Sequence, residues 1–562
     1  MRLLNAEARS RYLDRMASEP FDTLVIGGGV TGLGVALDAT ARGYSVALVE
    51  KDDFASGTSS KSTKLVHGGI RYLPQFDFGL VHEALVERGI LIQNAPYLVR
   101  PLAFVLPLYE DARKPLGIPI TPPRGIGLGL LLSTGLWMYD LLAGRRGIDR
   151  HQRISIEQAQ ALTPLLRTEG LKETFVYWDA QTNDTRLVIS ILRTAAQFGA
   201  SLANYAEVIG FEKRDGKLTG AHVRDTLSGR ELTIHARHIV NAAGVFAERV
   251  ATLSGDESKA SVAPSKGVHL VVDSDRVGVS DTGVVLPETD DGRILFVLPW
   301  GDRAVIGTTD TGSGDLDHPE ASVDDIDYLL RHVNRYLNVS LTHSDLISVY
   351  AGYRPLVRSR AKPSSNLSRT HVVLEENNGM VTIIGGKLTT YRRMAQDTVD
   401  VLVKRDSMPV AHPTLKLQLS GAIDWKRAQR ELARRCAALG VPPDVERSLE
   451  WNYGRNALDM LDLIEADHTL GQRVIPDLPF IRAEIVYACR AEMAMRLEDA
   501  LARRVRIELE DRDRGAGVAA EIARLMASEL DWTPEQAQAE ADGYIADIRG
   551  SLAEEGLAPA TM

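Results

Sequence analysis

Three polar side chains with catalytic potential lie within six residues of one another. His67, Arg71 and Tyr72 stand in the run HGGIRY, beside two glycines. An imidazole can exchange a proton near neutral pH, a guanidinium matches a phosphate geometrically, and a phenol adds a hydrogen bond. The cluster therefore favours a site for an anionic substrate. The same residues would also suit a structural loop whose arginine and tyrosine make ordinary surface contacts.

A glycine-rich segment upstream indicates the element that would hold a cofactor. Residues 21–50 read as strand, turn, helix and strand, with Gly27, Gly29 and Gly32 in the order G-x-G-x-x-G. Such a turn lets a pyrophosphate approach the backbone N–H groups at a helix start, where the helix dipole favours anions. Glu50 ends the second strand, where a carboxylate can accept hydrogen bonds from a ribose diol. We predict dinucleotide binding, although this motif alone does not separate FAD from NAD.

Composition limits the class of protein. The chain has 562 residues, 44% of them hydrophobic, and a formal net charge of -10. The length predicts two or three domains, and the acidic balance argues against a chain-wide nucleic-acid surface. Cys436 and Cys489 have no C-x-x-C partner, so we expect buried free thiols and no metal site. The first 20 residues carry charges throughout, so they predict a short helix rather than a signal peptide.

The order of predicted elements changes along the chain. Strands and helices alternate first, including an amphipathic helix over residues 184–198 with Asp184 as its N-cap. Four short strands between residues 268 and 306 follow without helices, which favours an antiparallel sheet. After a linker at residues 405–414 the chain reads as almost entirely helical, and residues 480–510 are part of that reading.

One apolar segment raises the question of a membrane. Residues 125–144, GIGLGLLLSTGLWMYDLLAG, match the length of a spanning helix. The segment also contains Asp140, carries four glycines in its first eleven residues, and has arginines at both ends. We therefore favour a buried or capping helix, with an interfacial membrane-contact helix as the alternative and a spanning helix as the least supported reading.

Four motifs in order carry a resemblance to a known family. IGGGVTGLGVALDATARG, SSKSTKLVHGGIRYL, AGYRPL and GGKLTTYRRMA together resemble the FAD-dependent glycerol-3-phosphate dehydrogenases, which are membrane-associated respiratory enzymes. The resemblance covers about residues 21–404 and continues more weakly through the helical region. It implies an α/β fold with a glutathione-reductase-type FAD-binding Rossmann domain, an antiparallel-sheet substrate domain and an all-helical C-terminal domain. Residues 1–404 would form the oxidoreductase region. Its FAD-binding segments would be about 20–100, 180–265 and 345–404, and its substrate segments about 101–179 and 266–344. The helical domain would be residues 415–562.

The resemblance also implies an activity and a location. The reaction would be oxidation of sn-glycerol 3-phosphate to dihydroxyacetone phosphate, with electrons passing from FAD to a membrane quinone of unspecified type. The enzyme would be cytoplasmic and peripheral on the inner face of the cell membrane, and we expect a homodimer. A glycerol-3-phosphate oxidase that uses oxygen is the alternative, because no motif reports oxygen access. A non-catalytic binding or escort protein on the same fold is the remote alternative.

The expected reaction suggests a role for each of the polar residues. His67 is the candidate base, and an arginine-polarised hydroxyl that loses its proton to water is the other route. Arg71 and Arg354 suit the phosphate and the substrate hydroxyl, Tyr72 adds a contact, and Lys387 suits the phosphate or the flavin. The predicted catalytic residues are thus His67, Arg71 and Arg354, and the predicted substrate residues are Arg71, Tyr72, Arg354 and Lys387.

The predicted cofactor residues come from the glycine motif, the hydroxyl-rich loop after it, two strand ends and the GGK turn. They are Gly27, Gly29, Val30, Thr31, Gly32, Glu50, Thr58, Ser59, Ser60, Thr63, Leu65, Val208, Ala243, Gly244, Gly386, Lys387, Leu388 and Thr389. Residues 308–310, in the run GTTD, are expected either to line the substrate cavity or to form an ordinary turn.

Overall fold

The computed structural model of the chain describes residues 3–112, 115–117, 127–255, 259, 261–312, 314–358 and 370–557. The first two residues of the apolar segment 125–144 lie outside these ranges. The strands are β1 (Phe21–Ile26), β2 (Val46–Val49), β3 (Leu65–Val66), β4 (Arg100–Tyr109), β5 (Gln152–Ile154), β6 (Leu171–Gln181), β7 (Ser201–Ala203), β8 (Ala206–Arg214), β9 (Lys217–Asp225), β10 (Glu231–Asn241), β11 (Val262–Asp273), β12 (Thr282–Leu286), β13 (Leu295–Trp300), β14 (Arg303–Gly307), β15 (Leu346–Val357), β16 (Val372–Glu375) and β17 (Val381–Ile384).

The helices surround and extend these strands. They are α1 (Ala6–Ser18), α2 (Val30–Ala41), α3 (Phe78–Asn94), α4 (Leu128–Ala143), α5 (Ile156–Leu162), α6 (Asp184–Gln197), α7 (Ala247–Leu253), α8 (Val323–Tyr336), α9 (Tyr391–Arg405), α10 (Trp425–Leu439), α11 (Pro443–Tyr453), α12 (Ala457–Ala466), α13 (Arg482–Ala491), α14 (Ile507–Glu510), α15 (Ala519–Leu530) and α16 (Pro534–Glu554). The predicted α/β class, with a helical C-terminal region, is confirmed.

The first sheet carries the glycine turn. Its strands run in the order β16-β17-β10-β1-β2-β7, all parallel except β16, and β8 and β9 continue from β10 as an antiparallel meander. Ile26 lies level with Val49 on one side and with Asn241 on the other. The ends of β1, β2 and β10 therefore meet at one edge of the sheet, where ligands bind in open parallel sheets.

The second sheet runs β15-β11-β14-β13-β12-β4-β6-β3, with β5 beside β6. The antiparallel arrangement expected between residues 268 and 306 is present in β11 to β14. The pair β12 and β4 is parallel instead. These two strands are far apart in the chain, so no hairpin fixes their direction. Helix α8, which begins with a Ser322–Asp325 capping box, packs its apolar face on this sheet.

Two local predictions were wrong. Asn183 is the N-cap of α6, and its side chain accepts a hydrogen bond from the Arg186 N–H, whereas Asp184 is the first helical residue. Residues 480–510 do not form a continuous helical run, because α13 ends at Ala491 and a π-helix follows at Asp499–Arg504. Buried Glu492, the residue after α13, pairs with the two terminal guanidinium nitrogens of Arg186 at 2.6 and 2.7 Å. Such a tertiary contact can override the helical preference of the local sequence. Both cysteines are free and buried, as predicted.

Helix α4 has two different faces. Gly129, Leu132, Leu136, Tyr139 and Ala143 are buried, so the predicted burial holds for this face. Leu130, Trp137 and Leu141 are 62%, 60% and 74% exposed on the other face. Within the described part of the chain, none of the helices combines the length and the apolar character that crossing a bilayer requires.

Candidate active site

The glycine turn is packed so tightly that two positions accept no side chain. Gly27 has φ +112°, and a Cβ there would lie 2.6 Å from the Ala242 carbonyl oxygen. A Cβ on Gly32 would overlap the Gly27 carbonyl oxygen. Gly29 is different, because the nearest atom that its Cβ would meet is Ser59 Oγ, at 3.1 Å. The turn is therefore closed toward the protein and open at Gly29, where a phosphate would approach the backbone.

Polar groups point into this opening from two sides. Glu50 Oε2 accepts a 2.6 Å hydrogen bond from the Gly28 N–H, and Ser59 Oγ accepts one of 3.0 Å from the Val30 N–H. Burial raises the pKa of Glu50 to about 7. Across the opening, a Cβ on Gly244 would meet no atom of the described residues within 4 Å. This cradle, with the Glu50 carboxylate beside it, fits a dinucleotide.

The hydroxyl-rich loop joins the cradle to the second sheet. Thr58 Oγ1 donates a 2.6 Å hydrogen bond to the carbonyl of Tyr353 on β15, and Ser60 Oγ donates to Gly57. Thr63 Oγ1 lies 2.9 Å from Nε2 of His269 on β11. The other predicted cofactor residues are spread over several elements. Thr31 lies in α2, Leu65 in β3 and Ala243 after β10, and the turn before α9 contains Gly386 and Leu388. Val208 lies on β8, opposite Val223.

The HGGIRY loop meets the GGKLTT turn. The His67 N–H donates a 3.1 Å hydrogen bond to Thr389 Oγ1. Arg71 donates to the Tyr72 hydroxyl at 2.9 Å, and Lys387 Nζ lies 4.2 Å from the centroid of the Tyr72 ring. The structure thus brings together four of the five predicted catalytic and substrate residues.

A buried network that the sequence analysis missed holds this loop. The Gly68 N–H donates to the Tyr139 hydroxyl at 2.9 Å and to Asp179 Oδ1 at 3.2 Å. Tyr139 donates to Asp179 in turn, and Arg88 contacts the same carboxylate at 2.6 Å. Burial raises the pKa of Asp179, while the charge of Arg88 opposes that rise. The sequence held one indication of this network, because Arg88 and Asp179 are charged residues in predominantly apolar stretches of the chain.

Arg354 approaches from the second sheet. Its guanidinium donates to Thr308 Oγ1 at 2.9 Å and to the Thr309 carbonyl at 3.1 Å, and it lies 3.9 Å from Asp310. The GTTD turn therefore contacts the arginine that was predicted to bind substrate. Because Arg354 follows Tyr353, whose carbonyl binds Thr58, the arginine is also anchored beside the cofactor loop.

His269 is a second residue that the sequence analysis missed. Its ring stacks on Tyr350 at 4.7 Å between centroids, and a Cβ on Gly307 would overlap the imidazole. Burial, followed by the charge of Arg354, lowers the pKa of His269 well below its usual range, so the imidazole is neutral. A histidine inside the apolar strand run KGVHLVV was the signal that could have found it.

Comparison with known proteins decides the family. The FAD dependent oxidoreductase family matches residues 22–392, and the C-terminal domain of alpha-glycerophosphate oxidase matches residues 412–537. Glycerol-3-phosphate dehydrogenase 2 of Mycobacterium bovis is 38% identical over 96% of this chain and 90% of its own length. The chain belongs to the FAD-dependent glycerol-3-phosphate dehydrogenase family.

Other members of the family agree over nearly the whole chain. A mitochondrial glycerol-3-phosphate dehydrogenase of Arabidopsis thaliana is 38% identical over 93% of this chain and 85% of its own length. The crystal structure of a glycerol-3-phosphate dehydrogenase from Bacillus halodurans, complexed with FAD, is 30% identical with a TM-score of 0.79 and covers 97% of this chain and 98% of that one. FAD is therefore the cofactor of this glycerol-3-phosphate dehydrogenase family member, and the cradle between Gly29 and Gly244 fits it.

Proposed function

We propose that the protein oxidises sn-glycerol 3-phosphate to dihydroxyacetone phosphate and passes the electrons to a membrane quinone. The observation that carries this proposal is the joining of the HGGIRY loop to the GGKLTT turn, one hydrogen bond from His67 to Thr389. That contact joins the loop that carries His67 and Arg71 to a turn that carries Lys387 and is predicted to bind FAD. FAD, when bound, supplies the acceptor for the hydride from the substrate.

Two cations share one aromatic ring in this arrangement. The Arg71 guanidinium lies 5.0 Å from the Tyr72 ring centroid, and Lys387 Nζ lies 4.2 Å from it. Two positive charges on one phenol attract an anion between them, and a phosphate dianion neutralises both. Arg71, Tyr72 and Lys387 would hold the phosphate, and Arg354 would orient the substrate from strand β15 of the second sheet.

His67 is the proposed proton acceptor for the substrate hydroxyl. Its backbone is bound to Thr389, so the residue that carries the imidazole is attached to the GGKLTT turn. Oxidation of a secondary alcohol requires loss of the hydroxyl proton as the hydride leaves, and a base held beside the cofactor turn meets that need.

The test is a spectroscopic one. The holoenzyme, mixed without oxygen with sn-glycerol 3-phosphate, should lose its visible flavin absorbance, and glycerol at the same concentration should leave it unchanged. Adding a water-soluble quinone should restore the absorbance faster than adding air. Restoration by air at a comparable rate, with release of hydrogen peroxide, would instead identify an oxidase.

The proposal includes contact with the inner face of the cell membrane. Leu130, Trp137 and Leu141 lie on one side of α4, at spacings of seven and four residues, and are largely exposed. Exposed Arg145 and Arg146 follow the helix and suit anionic lipid head groups. A quinone remains in the bilayer, so an enzyme that reduces it needs such a surface. The homodimer stays a prediction, which sedimentation equilibrium of the holoenzyme tests.

A further inference from the structure

A buried cluster of three charges lies beneath the hydroxyl-rich loop. Asp184 contacts Lys64 Nζ at 3.1 Å and Arg506 at 3.3 Å, and its Oδ2 accepts hydrogen bonds from the Ser62 N–H and hydroxyl at 3.1 and 2.9 Å. All three charged side chains are almost completely buried. The cluster therefore fixes Ser62 and Lys64, the residues on either side of Thr63.

Lys64 shows how closely this loop is constrained. Its backbone adopts a left-handed conformation, with φ +60°, which residues other than glycine rarely adopt. The Lys64 N–H donates to Ser62 Oγ, and its carbonyl accepts from the Thr182 N–H. On the opposite side, the Thr63 hydroxyl lies against His269. The position of that hydroxyl therefore depends on contacts made from both sides.

Arg506 comes from a distant part of the chain. It stands at the start of α14, directly after the π-helix Asp499–Arg504, and it has a left-handed backbone, with φ +64°. Its guanidinium contacts Asp184 and the Thr185 hydroxyl at the first turn of α6. The helical C-terminal region thus reaches the carboxylate that holds the loop before β3.

We propose that Arg506 is a positioning residue of the cofactor site, which fixes residues 62–64 through Asp184 and so sets the Thr63 hydroxyl for FAD. The inference rests on the proposed role of this loop in holding FAD. Within the described residues, the hydrogen bonds of Arg506 go to Asp184 and Thr185, so it acts on the loop through Asp184.

The charges support this role. Burial works against the Asp184 carboxylate, yet Lys64 and Arg506 hold its pKa below the usual value. Burial, and then the charge of Arg506, lowers the pKa of Lys64 to about 7. Without Arg506, the carboxylate would keep Lys64 as its cationic partner but would lose its second cation, and the Thr185 hydroxyl would lose its contact with that guanidinium. The loop would then be held by fewer contacts, at Lys64, whose backbone is left-handed.

The experiment compares Arg506→Met, Arg506→Lys and the exposed control Arg524→Met. FAD is removed, and its dissociation constant is measured by fluorescence titration without substrate; kcat and KM are measured on the reloaded enzymes. We expect Arg506→Met to raise the FAD dissociation constant about tenfold and to lower kcat about tenfold, with KM changed less than about twofold. Arg506→Lys should fall between Arg506→Met and the wild type, and Arg524→Met should match the wild type.

An unchanged FAD dissociation constant in Arg506→Met would overturn the inference. If that variant does not fold by circular dichroism, Arg506→Lys decides, because it keeps the charge on a shorter side chain than the one whose Nη1 contacts both Asp184 and Thr185. An unchanged FAD dissociation constant in Arg506→Lys would then overturn it. FAD affinity is measured without substrate, whereas the proposed function is judged by flavin bleaching in the wild type, so the two failures are distinguishable.

Discussion

The backbone N–H of His67 donates to the hydroxyl of Thr389 across 322 residues of chain. Thr389 is almost fully buried, and it lies in the turn that leads into α9. The loop that carries the proposed base is therefore attached to the turn proposed to hold FAD. Any displacement of one element relative to the other changes the distance between proton acceptor and cofactor.

Thr389→Val tests this attachment. The substitution removes the acceptor for the His67 N–H, and an unsatisfied buried N–H costs about 1–3 kcal/mol. We expect kcat to fall about tenfold in a protein that still binds FAD. Thr390→Val is the matched control, because its hydroxyl donates to the Lys387 carbonyl instead and it should retain most activity. Equal activity of the two variants would contradict the proposed coupling.

Arg354→Ala should raise the KM for glycerol 3-phosphate. Losing a charged hydrogen-bond donor costs about 1.5–3 kcal/mol, so we expect a rise of about 10- to 100-fold in steady-state assays. Arg331→Ala removes an exposed arginine on α8 that pairs with Asp290 and should leave KM unchanged. An unchanged KM in Arg354→Ala would reject its role in substrate binding.

Gly32→Ala should abolish FAD binding. The added methyl would overlap the Gly27 carbonyl oxygen, so the strand and helix must separate. Gly79→Ala in α3 is the control, since its methyl would meet no described atom within 4 Å and should stabilise the helix by about 0.5–1 kcal/mol. The measurements are the ratio of flavin to protein absorbance and the urea midpoint. A flavin-loaded Gly32→Ala protein would contradict the close packing described above.

Glu50 predicts a pH dependence of the protein without FAD. Burial raises its pKa from 4.5 to about 7, so the protonated form is favoured in the folded state. The contribution of Glu50 to the free energy of unfolding is fully present below pH 4.5 and is lost as the pH rises through about 7. Urea unfolding at about pH 5 and about pH 8 should show this loss in the wild type and a smaller one in Glu50→Gln. Identical losses in both proteins would assign the effect to other groups.

The exposed face of α4 predicts lipid binding. Replacing Trp137 and Leu141 by serine should weaken sedimentation with anionic phospholipid vesicles at least about tenfold, because burying each side chain contributes about 1.5–3 kcal/mol. Activity with a water-soluble quinone should stay at the wild-type level. Leu253→Ser, at another exposed leucine, is the control and should bind vesicles normally. Unchanged binding of the double variant would exclude this face as the contact.

Local sequence patterns predicted much of the fold. The glycine turn was predictable because the backbone geometry of one strand-turn-helix unit requires glycine at Gly27 and Gly32. His269, Asp179 and Arg506 were not predictable in the same way, since their partners lie far away in the chain and no periodicity encodes the choice. Asp184 illustrates the difference. As a residue at a helix start it suggested an N-cap, yet its carboxylate is used by Lys64, Ser62 and Arg506.

The Tyr139 hydroxyl holds Gly68 from the buried side of α4, while Trp137 faces outward two residues earlier. The helix whose outer face is proposed to meet lipid is therefore also the helix whose inner face holds the HGGIRY loop, so the proposed membrane contact and the proposed substrate site share one structural element.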